Sequence, residues 1–391
     1  MARVLLAWEL GDGFGHITRL LPIARRLREA GHDCVFAVRS LENSHVVLAP
    51  EGFTFVQAPF AIPAAPPGQE KEPMSTFGDI LATVGFTDVN RLLPMVTAWQ
   101  GLIDVVDPAL IVTDYAPGVC LAAYGARPVV NIGDGFILPP PELDRFPPFR
   151  DAPPRTDEAK ILATVQEVQR RRGRPLPPTV PSILAGSGVF VITLPELDFY
   201  GRHRRKPAIG TLTQLPPPLE EEPAEDYFGY LSLSYPHTAK VLEGLAQSGR
   251  SGRIYLRDAP PQAMQTWRDR GLLIHDRPQP MREAVGRARV VVHHGGVGTV
   301  ETVLALGRPQ LVVPRHQEQR GNANALGGMR VAVSMRSAGA FEPTHVTQAL
   351  THLLGTEHFR QNARAIAQRL AERGSDSVLD VIMAHCLSFC G

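Results

Sequence analysis

Val290-Val291-Val292-His293-His294-Gly295-Gly296-Val297-Gly298-Thr299-Val300-Glu301 is the stretch that decides the fold. An unbroken run of β-branched residues fits a strand covered on both faces, as in parallel sheets. The run stops at two histidines and turns through Gly-Gly-x-Gly-Thr into a helical pattern. Small residues at such a strand-to-helix turn bare successive backbone N–H groups. With the helix dipole, these favour a diphosphate. A histidine at the strand end can donate to phosphate, and Thr299 can add a hydroxyl. The plain alternative is a tight turn whose histidines merely end a strand.

The following unit repeats the pattern. Pro309-Gln310-Leu311-Val312-Val313-Pro314 is a strand, and Arg315-His316-Gln317-Glu318-Gln319-Arg320-Gly321-Asn322-Ala323 is a polar cluster after it. A carboxylate beside an amide suits vicinal sugar hydroxyls, since one accepts while the other donates and accepts. Alone, this would read as a solvated helix start.

Working outward, strands and helices alternate along nearly the whole chain. Val4–Trp8, Cys34–Val38, Phe53–Val56, Ala109–Thr113, Pro128–Ile132 and Gly188–Leu194 are strands in the first half. Phe228–Ser232, Arg253–Leu256, Leu272–His275, Arg289–His293, Gln310–Val313 and Val331–Ser334 follow in the second. Between the halves, Lys206–Glu225 holds a proline triplet and an acidic run, which predicts a linker. The expected organisation is a Rossmann-like domain over 1–205, a linker over 206–226, a second such domain over 227–375, and a C-terminal helix over 376–391 packing back on the first domain. Two doubly wound α/β domains facing across a cleft would bind ligands at the carboxyl ends of their strands. Phe60–Pro73 and Ile137–Pro154, the latter with seven prolines, cannot be regular helices or central strands. Their place suggests loops around an acceptor site.

Composition excludes several classes. The 391 residues carry 40 Lys+Arg against 39 Asp+Glu, so no basic excess points to nucleic acid. Val4–Trp8 is too short for a signal peptide, and no apolar window is long enough for a membrane span. Cys34, Cys120, Cys386 and Cys390 lack paired metal-ligand spacing and read as free thiols. A cytoplasmic monomer or homodimer is expected.

The first strand ends in a second glycine turn, Gly11-Asp12-Gly13-Phe14-Gly15-His16. Its spacing is not that of a dinucleotide fingerprint, and Ala37-Val38-Arg39-Ser40 offers no acidic residue for a ribose. His16 closes that turn, and Asp12 lies within it. Asp114 ends a strand and could cap the helix that follows. Asp134, in Gly133-Asp134-Gly135, also ends a strand.

At these residues the chain resembles the nucleotide-sugar glycosyltransferases of the GT-B fold, above all the bacterial antibiotic and macrolide enzymes and their plant and animal relatives. His293-His294-Gly295-Gly296-Val297-Gly298-Thr299 is similar to the family's HHGGxGT diphosphate motif, with His294 in register as the phosphate ligand. Glu318-Gln319 resembles its sugar-contacting pair, and Ser234 a serine near the phosphates. In some members a Glu eight residues past the histidine holds the ribose; here that position is Thr302, with Glu301 one residue early. Gly15-His16 resembles the family's catalytic Gly-His, which implies His16 as the base, with Asp12 as the alternative, although Arg19 stands where many members have proline. Asp114 matches the aspartate that orients the base. The resemblance implies an inverting transfer from a UDP- or TDP-sugar to a hydroxyl of a small, lipophilic acceptor. The nucleotide sugar is then a co-substrate, with no cofactor. No Asp-x-Asp pair is present to bridge a metal, so none is expected. A GT-B epimerase would use the same donor without an acceptor, and a binding protein would keep the donor site without catalysis. His16 and Asp114 argue against the binding protein, and the proline-rich loops against the epimerase.

Overall fold

The computed structural model describes residues 1–64, 74–335, 340–373 and 377–391. The chain forms two compact units, Met1–Leu212 with Asp376–Gly391, and Thr213–Ser375. In the first, β1 (Arg3–Trp8), β2 (Asp33–Val38), β3 (Thr54–Gln57), β4 (Leu110–Asp114), β5 (Val129–Gly133) and β6 (Gly188–Val191) form one parallel sheet in the order β3-β2-β1-β4-β5-β6. Helices α1 (Gly15–Glu29), α2 (Leu41–Leu48), α3 (Phe77–Thr83), α4 (Val89–Val106), α5 (Pro117–Ala123) and α6 (Glu158–Arg171) connect and cover it.

In the second unit the strands are β7 (Glu225–Ser232), β8 (Gly252–Arg257), β9 (Leu273–His275), β10 (Ala288–His293), β11 (Gln310–Val312) and β12 (Ala332–Ser334). Their order, β12-β11-β10-β7-β8-β9, is the first sheet's topology repeated, with β7 in the place of β1. Its helices are α7 (Thr238–Gln247), α8 (Pro261–Arg268), α9 (Met281–Gly286), α10 (Val297–Leu306), α11 (Gln317–Gly328), α12 (Pro343–Gly355) and α13 (Glu357–Glu372). All twelve expected strands are present, and the fold is the doubly wound α/β pair expected.

The apolar runs form strands because both faces of each sheet are covered. Val4, Leu6 and Trp8 point into a core with Ile17, Leu20 and Ile23 of α1. Leu5 and Ala7 point the other way, toward Trp99 of α4 and Val119 of α5. The final helix, α14 (Val378–Leu387), belongs to the first unit, with Ile382, Met383 and Cys386 buried in the core beside α1. No described helix is long and apolar enough to cross a membrane.

The irregular stretches are held by specific bonds. Phe149 N–H donates to Ser75 O at 2.8 Å, and Phe146 N–H to the Glu158 carboxylate at 3.1 Å. Within the interval read as a linker, Ile209 N–H donates to Val191 O at 2.9 Å, and the buried Arg308 donates to Glu221 O at 2.9 Å. Of the Phe60–Pro73 loop, residues 65–73 lie outside the described residues.

Candidate functional site

The strand order of the first sheet reverses between β1 and β4, where Trp8 lies opposite Asp114 in register. Connections leave such a point toward opposite faces and open a crevice at the carboxyl ends. Two predicted residues meet there. His16 lies in the first turn of α1, and Asp114 ends β4. His16 Nδ1 is 2.7 Å from Asp114 Oδ1, and both residues are buried. A carboxylate can only accept, so Nδ1 carries a proton, and in the neutral imidazole Nε2 keeps its lone pair. Nε2 faces the main chain of Gly11, whose φ is +84°; a β-carbon there would sit 2.3 Å from it. Trp8 stacks on the imidazole with ring centroids 5.3 Å apart, and Tyr115 flanks it at 5.8 Å. Tyr115 has φ +55°, a strained conformation for a bulky residue, and its carbonyl accepts Leu10 N–H at 2.9 Å. The strain thus ties the glycine loop to the end of β4.

Arg19 completes this site. Its Nε lies 3.0 Å from Asp114 Oδ2, and its Nη1 donates to Asp134 Oδ2 at 2.9 Å. Asp134 Oδ1 accepts the N–H groups of Phe136 and Ile137, fixing the loop after β5. No motif assigns this role to Arg19; its one signal is the i,i+3 spacing that places it on the helix face of His16. Asp12 is exposed and accepts the N–H of its neighbour Gly13 at 2.7 Å. The N-cap of α5 is Ala116, without a side-chain cap. Its first turn is met by the fully buried Glu9, whose Oε2 accepts Gly118 N–H at 2.7 Å. Burial pushes the Glu9 carboxyl up to about 8, against the pull of the Gly118 and Val119 N–H groups and Arg39.

In the second sheet the order reverses between β7 and β10, and the Gly-Gly-x-Gly-Thr turn leaves β10 there. His293 Nε2 donates to Gln310 Oε1 at 2.8 Å, while its Nδ1 accepts Gly295 N–H at 2.9 Å. His294 Nδ1 donates to Val313 O at 3.0 Å, and its Nε2 accepts Ser232 N–H at 2.9 Å. These partners assign both tautomers. Burial lowers each imidazole to about 4, so both are neutral near pH 7.

The glycines divide into two kinds. Gly295 has φ +85°, and a β-carbon would meet Val312 Cγ1 at 2.8 Å and Gln319 O at 3.1 Å. At Gly296 and Gly298 a β-carbon would meet nothing within 4 Å, so the turn is open on that side. Gly296 caps α10 without a side-chain bond, so the N–H groups of Val297, Gly298 and Thr299 form its uncapped first turn. Asn322 Nδ2 donates to Gly295 O at 2.9 Å and joins α11 to the turn. Gln319 is buried with its Oε1 on Arg315 N–H at 2.8 Å, and Glu318 is half-buried beside it. Ser234 is exposed; its Oγ lies 2.7 Å from Ser232 Oγ, which donates to Asp258 at 2.9 Å. Glu301 is buried, and Thr302 Oγ1 turns back to Gly298 O at 2.8 Å. Arg257 and Arg315 also stand at this edge, close enough to act on His294 electrostatically, and no motif marks them.

Comparison with known proteins adds to this geometry. Residues 277–382 match the family model described as the C-terminal domain of erythromycin biosynthesis protein CIII-like proteins. L-demethylnoviosyl transferase of Streptomyces niveus is 23% identical over 380 residues, 94% of each chain. Elloramycin glycosyltransferase ElmGT of Streptomyces olivaceus is 27% identical over 312 residues, 77% of this chain and 73% of that one. The fold matches the crystal structure of glycosyltransferase VinC in complex with dTDP, with a TM-score of 0.65 at 17% identity and 98% of each chain covered. The matched C-terminal domain and the two relatives make this chain similar to antibiotic glycosyltransferases, and its two doubly wound sheets have the GT-B fold.

Proposed function

We propose that the protein transfers a sugar from a UDP- or TDP-sugar to a hydroxyl of a small, lipophilic acceptor, with inversion and without a metal. The observation that carries this reading is the His16–Asp114 pair, with Nε2 unbonded at the end of β4. The complex of VinC with dTDP favours thymidine among the donor bases.

In this reading the first unit holds the acceptor and the second the donor. An acceptor hydroxyl is a weak nucleophile near neutral pH. His16 Nε2 takes its proton as the oxygen bonds to the anomeric carbon. Asp114 holds the tautomer and stabilises the imidazolium that forms. The bond from the anomeric carbon to the phosphate oxygen breaks, and its electron pair leaves on the nucleoside diphosphate. The N–H groups of Val297, Gly298 and Thr299 meet that charge, and Glu318 and Gln319 hold the sugar hydroxyls. A single displacement inverts the anomeric centre.

The test is incubation with TDP- and UDP-sugars, with and without a panel of phenolic and macrolide acceptors. The expected result is acceptor-dependent product of inverted configuration by NMR. His16→Ala should be slower by about 100-fold or more. A rearranged donor formed without any acceptor would replace this reading with an epimerase, and a retained configuration would remove the single displacement.

A further inference from the structure

Asp134, which holds Arg19, is set by a peptide group that has a second partner. Phe136 N–H donates to Asp134 Oδ1 at 2.9 Å, and the carbonyl of that same peptide, Gly135 O, accepts Arg204 Nη2 at 3.2 Å. Arg204 Nη2 also donates to Leu138 O, so one guanidinium grips the loop after β5 at two carbonyls. Its Nε donates to Asp198 Oδ2 at 2.7 Å, and Asp198 Oδ1 accepts Tyr200 N–H at 3.2 Å. The loop lies directly on this pair: a β-carbon at Gly135 would sit 2.6 Å from Asp198 Oδ1 and from Phe199 N.

The side chains of Arg204 and Asp198 are 3% and 1% exposed. Desolvation offsets much of the attraction in a pair this deep, so burial alone does not make it a source of stability. Its geometry shows what it holds. Residues 135–137 form a turn, which has no ladder of its own to fix its carbonyls, and Arg204 supplies the missing donors. The contacts then lead to the base. They pass through the Gly135–Phe136 peptide to Asp134, and from Asp134 Oδ2 to Arg19 Nη1 at 2.9 Å. Arg19 Nε pairs with Asp114 Oδ2 at 3.0 Å, and Asp114 Oδ1 accepts His16 Nδ1 at 2.7 Å. Charge alternates along the series, with Arg204 and Arg19 standing between Asp198, Asp134 and Asp114.

We propose that Arg204, paired with Asp198, is a positioning residue for the base. It fixes the turn that carries Asp134, and through Asp134 and Arg19 it sets the orientation of Asp114 and His16. This rests on reading His16 as the base. A guanidinium fits the role because its planar fork serves a carboxylate and backbone carbonyls at once, which an ammonium does only as a point charge.

The experiment compares Arg204→Lys with the double variant Asp198→Asn/Arg204→Met, each alone and combined with Arg19→Gln. The double variant is included because it leaves no lone buried charge. Turnover is measured at saturating acceptor, with donor KM and melting temperature beside it. The double variant should lose about 10-fold in kcat with donor KM unchanged, as expected of a misplaced base. Arg204→Lys keeps the charge without the fork and should recover part of that loss. On the Arg19→Gln background the double variant should cost less than about 2-fold more, because its effect passes through Arg19. A loss of about 10-fold again on that background overturns the proposal. So does a double variant that melts lower yet keeps the wild-type kcat, which is how a purely structural pair behaves. The low-field proton signal of His16 Nδ1, identified in NMR spectra by its absence from His16→Gln, gives a readout that needs no turnover. It should shift or broaden in the double variant, and an unaltered signal also overturns the proposal. Transfer that survives His16→Ala removes the base itself, a separate failure from an Arg204 variant that leaves a His16-dependent enzyme unharmed.

Discussion

Arg19 and His16 share one carboxylate: His16 Nδ1 lies on Oδ1 of Asp114 at 2.7 Å, and Arg19 Nε on Oδ2 at 3.0 Å. Oδ1 of this fully buried group is hydrogen-bonded to the imidazole, and Oδ2 faces the Arg19 charge, which restrains the aspartate beside His16. Arg19 is itself held from the far side by Asp134 at 2.9 Å, and Asp134 by the backbone of Phe136 and Ile137. The imidazole orientation therefore depends on a loop that begins at β5, two strands away from β1 in the sheet.

Arg19→Gln should lower kcat by about 10-fold or more, within the range of misplacing a general base. Removing the cation leaves two buried carboxylates facing each other without compensation, and Asp114 free to move. The KM for the sugar nucleotide should stay the same, because the donor is assigned to the other unit. Steady-state kinetics with each substrate varied separates the two effects. An equal loss in donor KM would mean that Arg19 supports the fold rather than the base.

Gly11 gives a sharper test of access to Nε2. A methyl at this position would lie 2.3 Å from the base nitrogen, on a backbone already at φ +84°. Gly11→Ala should therefore abolish transfer nearly as completely as His16→Ala, while diphosphate titration stays normal. An active Gly11→Ala enzyme would show that Nε2 works from another direction.

The strands were legible because a parallel strand covered on both faces needs apolar residues at every position, and such runs stand out. Their charged ends were not. β7 begins at Glu225, three residues before the apolar run at Phe228, because backbone pairing with Ala288 extends past the buried part. The two glycine turns were legible for a similar reason, since strand, small residues and helix must follow in that order. What the polar side chains do was readable only in part. His16 and Asp114 could be paired from the resemblance of the first glycine turn and the end of β4, but Arg19 needed Asp134, which is distant in sequence. How the histidines of the second turn are held was not readable, because a sequence does not reveal where ring nitrogens are spent. Gln310, Val313 and Ser232 reach them from neighbouring strands.

The proposed leaving-group site predicts tolerance of chelators. Phosphate charge would be met by the first turn of α10, and no three His, Cys, Asp or Glu side chains are grouped to hold a metal among the described residues. Transfer should continue undiminished in excess EDTA, assayed after dialysis against the chelator. Activity lost to EDTA and restored by magnesium would place a cation at the phosphates and overturn the metal-free reading.

The buried Glu9 predicts an unusual dependence of stability on pH. In the folded chain it keeps its proton up to about pH 8, whereas in the unfolded chain it ionises near 4.5. Between these values the native state holds the extra proton, so stability from this residue is complete below about 4.5 and declines as pH rises toward 8. Glu9→Gln removes the titration, retains an oxygen for Gly118 N–H and keeps nearly the same volume. Its unfolding free energy relative to wild type should therefore rise between pH 5 and pH 8, by on the order of 1–3 kcal/mol, and level off above that. Denaturant unfolding of both proteins across this range measures the difference directly. Parallel curves would mean that Glu9 is ionised in the folded protein, with Arg39 and the N–H groups at the start of α5 outweighing its burial.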